Sequence, residues 1–233
     1  MAFPQDSNNL AAERGPSNFD TRHRFTAAFT YQLPSFSSHN RLSQGWQFNV
    51  ISTAQSGRPV PIVSANDTSA FPNTNFNTVS NFHQRPNVNP GVNPIVSNWE
   101  SSPDGIGYLN PAAFIQPAVG TFGNLGRNAI FGPRFWNVDF SITKQTYLTE
   151  RVSLQLRAEL FNIFNHPNFA LPNFFINPGF VDNGTPGNPL IVPNPFASPN
   201  QGLITQTPDQ AQTNPGLGGG GPRVIQLGAK FVF

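Results

Sequence analysis

The sequence contains no cysteine. That excludes a disulfide scaffold, a thiolate metal site and a thiol nucleophile. Charge is scarce as well. Asp, Glu, Lys and Arg make up 10% of the 233 residues, against about a quarter in an ordinary soluble domain. The 13 basic and 11 acidic side chains are scattered singly, for a net charge of +2. No stretch concentrates Lys or Arg, which excludes the electrostatic footprint of a nucleic-acid binder. No run of 18 apolar residues occurs, so no transmembrane helix is expected. The opening stretch MAFPQDSNNLAAERG has no basic n-region, apolar core or cleavage site, and does not read as a signal peptide.

Phenylalanine, by contrast, is abundant, with 23 residues, too aromatic a content for a simply disordered chain. Pro (24) and Gly (20) are plentiful, and Asn is dense between residues 66 and 98. All three types disfavour helix. The composition predicts strands joined by long, polar, weakly charged loops.

Five segments alternate apolar and polar residues at period two. In 22–33, Phe25, Ala27, Phe29, Tyr31 and Leu33 oppose Arg24, Thr26, Thr30 and Gln32. In 46–55, Trp46, Phe48, Val50 and Ala54 oppose Gln47, Asn49, Thr53 and Gln55. In 135–144, Trp136, Val138, Phe140 and Ile142 oppose Asn137, Asp139, Ser141 and Thr143. In 151–163, Val152, Leu154, Leu156, Ala158 and Leu160 oppose Ser153, Gln155, Arg157 and Glu159. In 223–233, Ile225, Leu227, Ala229, Phe231 and Phe233 oppose Gln226, Gly228 and Lys230. Each segment has about ten residues, the length of a membrane-spanning strand and longer than most soluble ones. Charges at mid-strand on the polar faces fit a wet barrel lumen.

The connections alternate too. Residues 34–45 and 145–150 are short, whereas 56–134 and 164–222 are long. Short periplasmic turns and long outer loops are the rhythm of outer-membrane barrels. The expected fold is therefore all-β: an antiparallel meander of about five long transmembrane strands with two long extracellular loops, 56–134 and 164–222, whose conformation the sequence leaves open. Five strands do not close a barrel, because an open edge in lipid leaves backbone groups unpaired. The chain is thus expected to be a fragment of a larger barrel. For the third and fourth strands, a turn centred on Leu148 predicts Asp139 opposite Arg157, with an ion pair between them.

Several stretches then become familiar. YLNPAAF (108–114), GTFGNLGRNAIFGPRFWNVDFSITKQ (120–145) and RVSLQLRAELFNIFNHPNF (151–169) resemble the C-terminal barrel of large TonB-dependent receptors, nearest to the Oar-like group with its carboxypeptidase-regulatory-like domain. RGPSNFDTRHRF (14–25), SGRP (56–59) and the terminal LGAKFVF (227–233) look like segments of the same barrel. The resemblance implies a roughly 22-stranded transporter, closed by a plug and energised through a TonB box, for an unidentified solute. It implies outer-membrane lipid, the remainder of the barrel and plug, and the barrel-assembly machinery (through the last strand) as partners. TonB would be reached only through a part outside these residues.

Residues able to carry chemistry were weighed against simpler roles. His23, His39, His83 and His166 are isolated and lack metal-ligand spacing, so loop or turn histidines are expected. The run Gly218–Gly221 lacks a following Lys-Ser/Thr and reads as a flexible hinge. Asp182-Asn183-Gly184 has no downstream carboxylate to complete a calcium loop. The sequons at Asn66 and Asn183 carry little weight in a bacterial-type protein. Phe71, Phe76 and Phe82 are expected to pack their own loop rather than bind a ligand. Asp139, Arg157 and Glu159 are expected to face the lumen as structural ion-pairing residues, and Trp46, Trp136 and Phe233 to belong to aromatic girdles. No catalytic, cofactor or metal residue is expected, and no enzyme activity. The competing classes are a secreted β-sandwich or adhesin-like module with display loops, and a subunit of an oligomeric pore. A sandwich would bury its apolar faces against a second sheet.

Overall fold

The computed structural model describes residues 4–34, 43–65, 84–101, 106–197, 202–211 and 219–233. Five long strands form one sheet: β1 (Arg24–Gln32), β2 (Trp46–Gln55), β3 (Phe135–Tyr147), β4 (Ser153–Phe161) and β5 (Val224–Val232). They lie in chain order and every neighbouring pair is antiparallel. The five alternating segments are therefore the five strands. The long connections after β2 and after β4 both leave the sheet at the same end, as an antiparallel meander requires. Among the described residues β1 and β5 each pair with one strand only, so the sheet is open at both edges.

Register puts the alternation to use. Phe29 pairs with Val50, Val50 with Phe140, Phe140 with Leu160, and Leu160 with Ile225. Because pairing preserves face, one apolar row crosses all five strands, and so does the next, Tyr31, Phe48, Ile142, Ala158 and Leu227. That face is open: Phe25 and Phe29 are each 63% exposed and Leu227 is 77% exposed. A sandwich would have buried it.

The β3–β4 register differs from the expected one. Arg157 lies opposite Thr143, and Ser141 opposite Glu159. The cause is the turn. β3 runs on to Tyr147, and the connection is Leu148–Val152, with Leu148 N and Thr149 N both donating to Val152 O (2.9 and 3.1 Å). Thr149 Oγ1 accepts from Val152 N at 3.1 Å, closing the turn around Glu150 instead of Leu148. The slip is even in residue sum, so every side chain keeps its face, but Asp139 and Arg157 are not partners.

In their described residues the long connections carry structure of their own. With the N-terminal segment they form a second compact unit, comprising residues 1–20, 57–132 and 170–205. Its core collects Val60, Val63, Leu109, Phe114 and Ile176, each at most 1% exposed. The YLNPAAF motif supplies part of it. Asn110 caps the short 3-10 turn Pro111–Ala113 by accepting from Ala112 N, which turns Leu109 and Phe114 inward. Arg85 and Glu13 clamp the N-terminal segment: Arg85 Nη1 lies 2.9 Å from both Glu13 carboxylate oxygens, with both side chains buried. Arg85 Nε also donates to Leu125 O and Nη2 to Ala12 O. A buried ion pair survives only with its remaining donors and acceptors satisfied in this way.

Candidate functional site

The polar face of the sheet carries a continuous ladder. Asn49 is at its centre. Its Oδ1 accepts from Thr30 Oγ1 (3.0 Å) and Gln47 Nε2 (2.8 Å), while Nδ2 donates to Ser141 Oγ (3.0 Å). Thr30, Asn49 and Ser141 are direct cross-strand partners, so β1, β2 and β3 are tied side chain to side chain. Beyond Ser141 comes Glu159 on β4, whose Oε1 lies 3.5 Å from Arg157 Nη1. Both of these side chains are partly exposed, so the pair is screened and contributes at most about 1 kcal/mol. Together these residues line a shallow hollow of about 390 Å³. Donors and acceptors held along the sheet beside one partly exposed ion pair suit a hydrated, hydrogen-bonding surface better than a tight pocket.

Asp139 sits elsewhere on the same face. Its Oδ1 accepts from Asn137 Nδ2 (2.8 Å) and from the backbone N of Asn162 (2.9 Å). Asn162 ends β4 with a positive φ of 50°, which Asn tolerates better than most residues. Its buried amide donates to His166 O and Gly221 O and accepts from His166 N, all within 2.9 Å. One side chain thus joins the end of β4 to the approach of β5. The glycine run there is not a plain hinge in its described part. A Cβ on Gly220, whose φ is +109°, would lie 2.9 Å from the Phe135 ring, and one on Gly221 would lie 2.6 Å from an Asp209 carboxylate oxygen. Gly220 is required by its positive φ and by close approach, whereas Asp209 could turn aside for a side chain at 221.

Aromatic residues mark both ends of the apolar face. At the end with the short connections, Trp46 carries Lys144 Nζ 5.1 Å from its ring centroid, and Phe233 follows β5 at 91% exposure. At the other end Trp136 stacks on His166 at 4.1 Å and meets Phe164 at 6.0 Å. Sequence reasoning placed Asp139, Arg157 and Glu159 on one face but missed Asn49 and Asn162. An Asn at mid-strand and an Asn before a turn were the available signals. His39, His83, Asn66, Phe71, Phe76 and Phe82 lie outside the described residues. Asp182 closes a turn, its Oδ1 accepting from Gly184 N and Leu190 N. In the second unit, burial pushes the Tyr108 phenol up to about 12, and its hydroxyl donates to Phe131 O at 2.7 Å.

A family model described as an outer membrane beta barrel domain matches residues 1–226. No curated protein and no solved structure matches the chain.

Proposed function

The chain belongs to the outer membrane beta barrel domain family and resides in the outer membrane, and on that premise we propose that its sheet is part of the wall of a TonB-dependent transporter of the Oar-like kind. The observation that carries this is the shared register: exposed apolar rows on one face and a hydrogen-bonding ladder on the other. Lipid covers the first face. The second lines a lumen that admits a hydrated solute past Asn49, Ser141, Arg157 and Glu159, against a plug domain. These residues position and hydrate the solute and carry out no catalysis. Trp46 and Phe233 form one aromatic girdle, and Trp136 forms part of the other. The barrel-assembly machinery engages β5, an edge strand with alternating apolar residues. The TonB and Oar-like assignment rests on the 108–169 block, whose residues resemble that group.

Co-purification from outer membranes with the periplasmic C-terminal domain of TonB tests this. The native polypeptide is expected to be retained by immobilised TonB domain, more strongly when its solute is present. A barrel that folds in the outer membrane yet is never retained contradicts the transporter assignment while leaving the barrel intact.

A further inference from the structure

We propose that a row of basic side chains at the long-connection end of the apolar face, charged at Arg134 and Arg223, binds the phosphate headgroups of anionic lipid. The proposal rests on the outer-membrane reading, since it needs that face to lie against lipid. The row follows from register. His23 extends the β1–β2 ladder, with its backbone N donating to Ser56 Oγ and its O accepting from Ser56 N. By parity it shares the face of Phe25. Arg134 precedes β3 and shares the face of Trp136, and Arg223 precedes β5 and shares that of Ile225. Between them His166 is fixed flat against Trp136 at 4.1 Å. His23, Arg134 and Arg223 are exposed and His166 is half-buried.

Among the described residues of this unit no carboxylate lies on the apolar face beside them. The described acids of this unit are Asp139, Glu150, Glu159 and Asp209. Asp139 and Glu159 face the polar side, Glu150 lies in the turn at the opposite end, and Asp209 lies beside Gly221. Among the described residues neither Arg134 nor Arg223 is in an ion pair. Arg22 and Arg24 alternate to the polar face and do not join the row. The opposite end of the apolar face differs: Lys144 is occupied with Trp46 and the Gln44 carbonyl, and Glu150 adjoins Arg151. Unpaired cations directly above an aromatic rim match a lipid whose phosphate lies just outside its acyl chains.

The test is vesicle co-flotation of the full chain, refolded from detergent, with phosphatidylcholine alone and with phosphatidic acid added. The expected result is tighter binding to the anionic vesicles, reduced at least about tenfold in Arg134→Gln/Arg223→Gln, since each surface cation contributes about fivefold. Arg134→Lys/Arg223→Lys is expected to keep the preference, as is Arg151→Gln/Lys230→Gln at the other end. Circular dichroism of each variant confirms its β-sheet content. Equal binding to both vesicle types, or a preference untouched by the double Gln variant, overturns the proposal. Loss of preference equally in the Arg151/Lys230 variant overturns it too, because it would reveal only net charge. Binding to neutral vesicles reports separately on the lipid-facing sheet, so the two claims fail independently.

Discussion

Asn162 shows how much structure one polar side chain holds at the edge of a sheet. It bears a positive φ, accepts one hydrogen bond and donates two, while its own N–H anchors Asp139. Asn162→Ala leaves the half-buried His166 and Gly221 carbonyls without this donor and keeps a strained backbone, so a loss of about 2 kcal/mol is expected in chemical denaturation. Asn162→Gly is expected to recover only the backbone part. Arg85 gives a larger expected effect. Arg85→Met removes the nearest cation from the buried Glu13 carboxylate, leaving it Gln5 N at 3.1 Å and Arg127 Nη1 at 3.9 Å, at a cost of about 3 kcal/mol, and replacing Glu13 with Leu as well recovers most of it. Tyr108 supplies a pH dependence. Its folded-state value, about 12, lies above the ordinary 10, so the unfolded chain loses that proton first as pH rises. The stabilisation is whole below pH 10 and fades towards 12, which a pH series of melts measures, with Tyr108→Phe removing the dependence. Glu13, Arg85 and Asn162 did not stand out singly in the sequence. Glu13 and Arg85 are far apart along the chain and unremarkable singly, and Asn162 was one asparagine among many.

Strands are another matter. Their apolar residues repeat at period two because one face meets a different medium from the other, and that constraint acts on each strand separately. The second segment was legible to the residue, 46–55, and the others to within three at either end. Register was not legible, because it depends on which residues the turn consumes. Thr149 could close the chain around Glu150 only if β3 ran three residues past the expected end, which sets Lys144 and Thr146 opposite Leu156 and Leu154 on the apolar face. Lys144 is tolerated there by reaching the Gln44 carbonyl and the Trp46 ring. Paired cysteines decide between the registers. Ser141→Cys/Glu159→Cys should cross-link under mild oxidation and Asp139→Cys/Arg157→Cys should not. The reverse outcome would reinstate the turn at Leu148. The compact unit in the long connections was illegible for a different reason. Its core residues are dispersed among Pro, Gly and Asn, and its pairings are two or three residues long, too short to leave a periodicity.

At the scale of the molecule the account rests on one property, that the two faces of the sheet meet two different solvents. Everything proposed about lumen, girdles and headgroups depends on it. Nitroxide spin labels placed singly from Trp136 to Lys144 along β3, in outer membranes, measure it directly through collisions with oxygen and with a water-soluble nickel chelate. Labels at 136, 138, 140 and 142 should be reached by oxygen and shielded from nickel, and those at 137, 139, 141 and 143 the reverse. Nickel access that does not alternate, or that is high along the whole strand, would contradict a lipid-facing sheet.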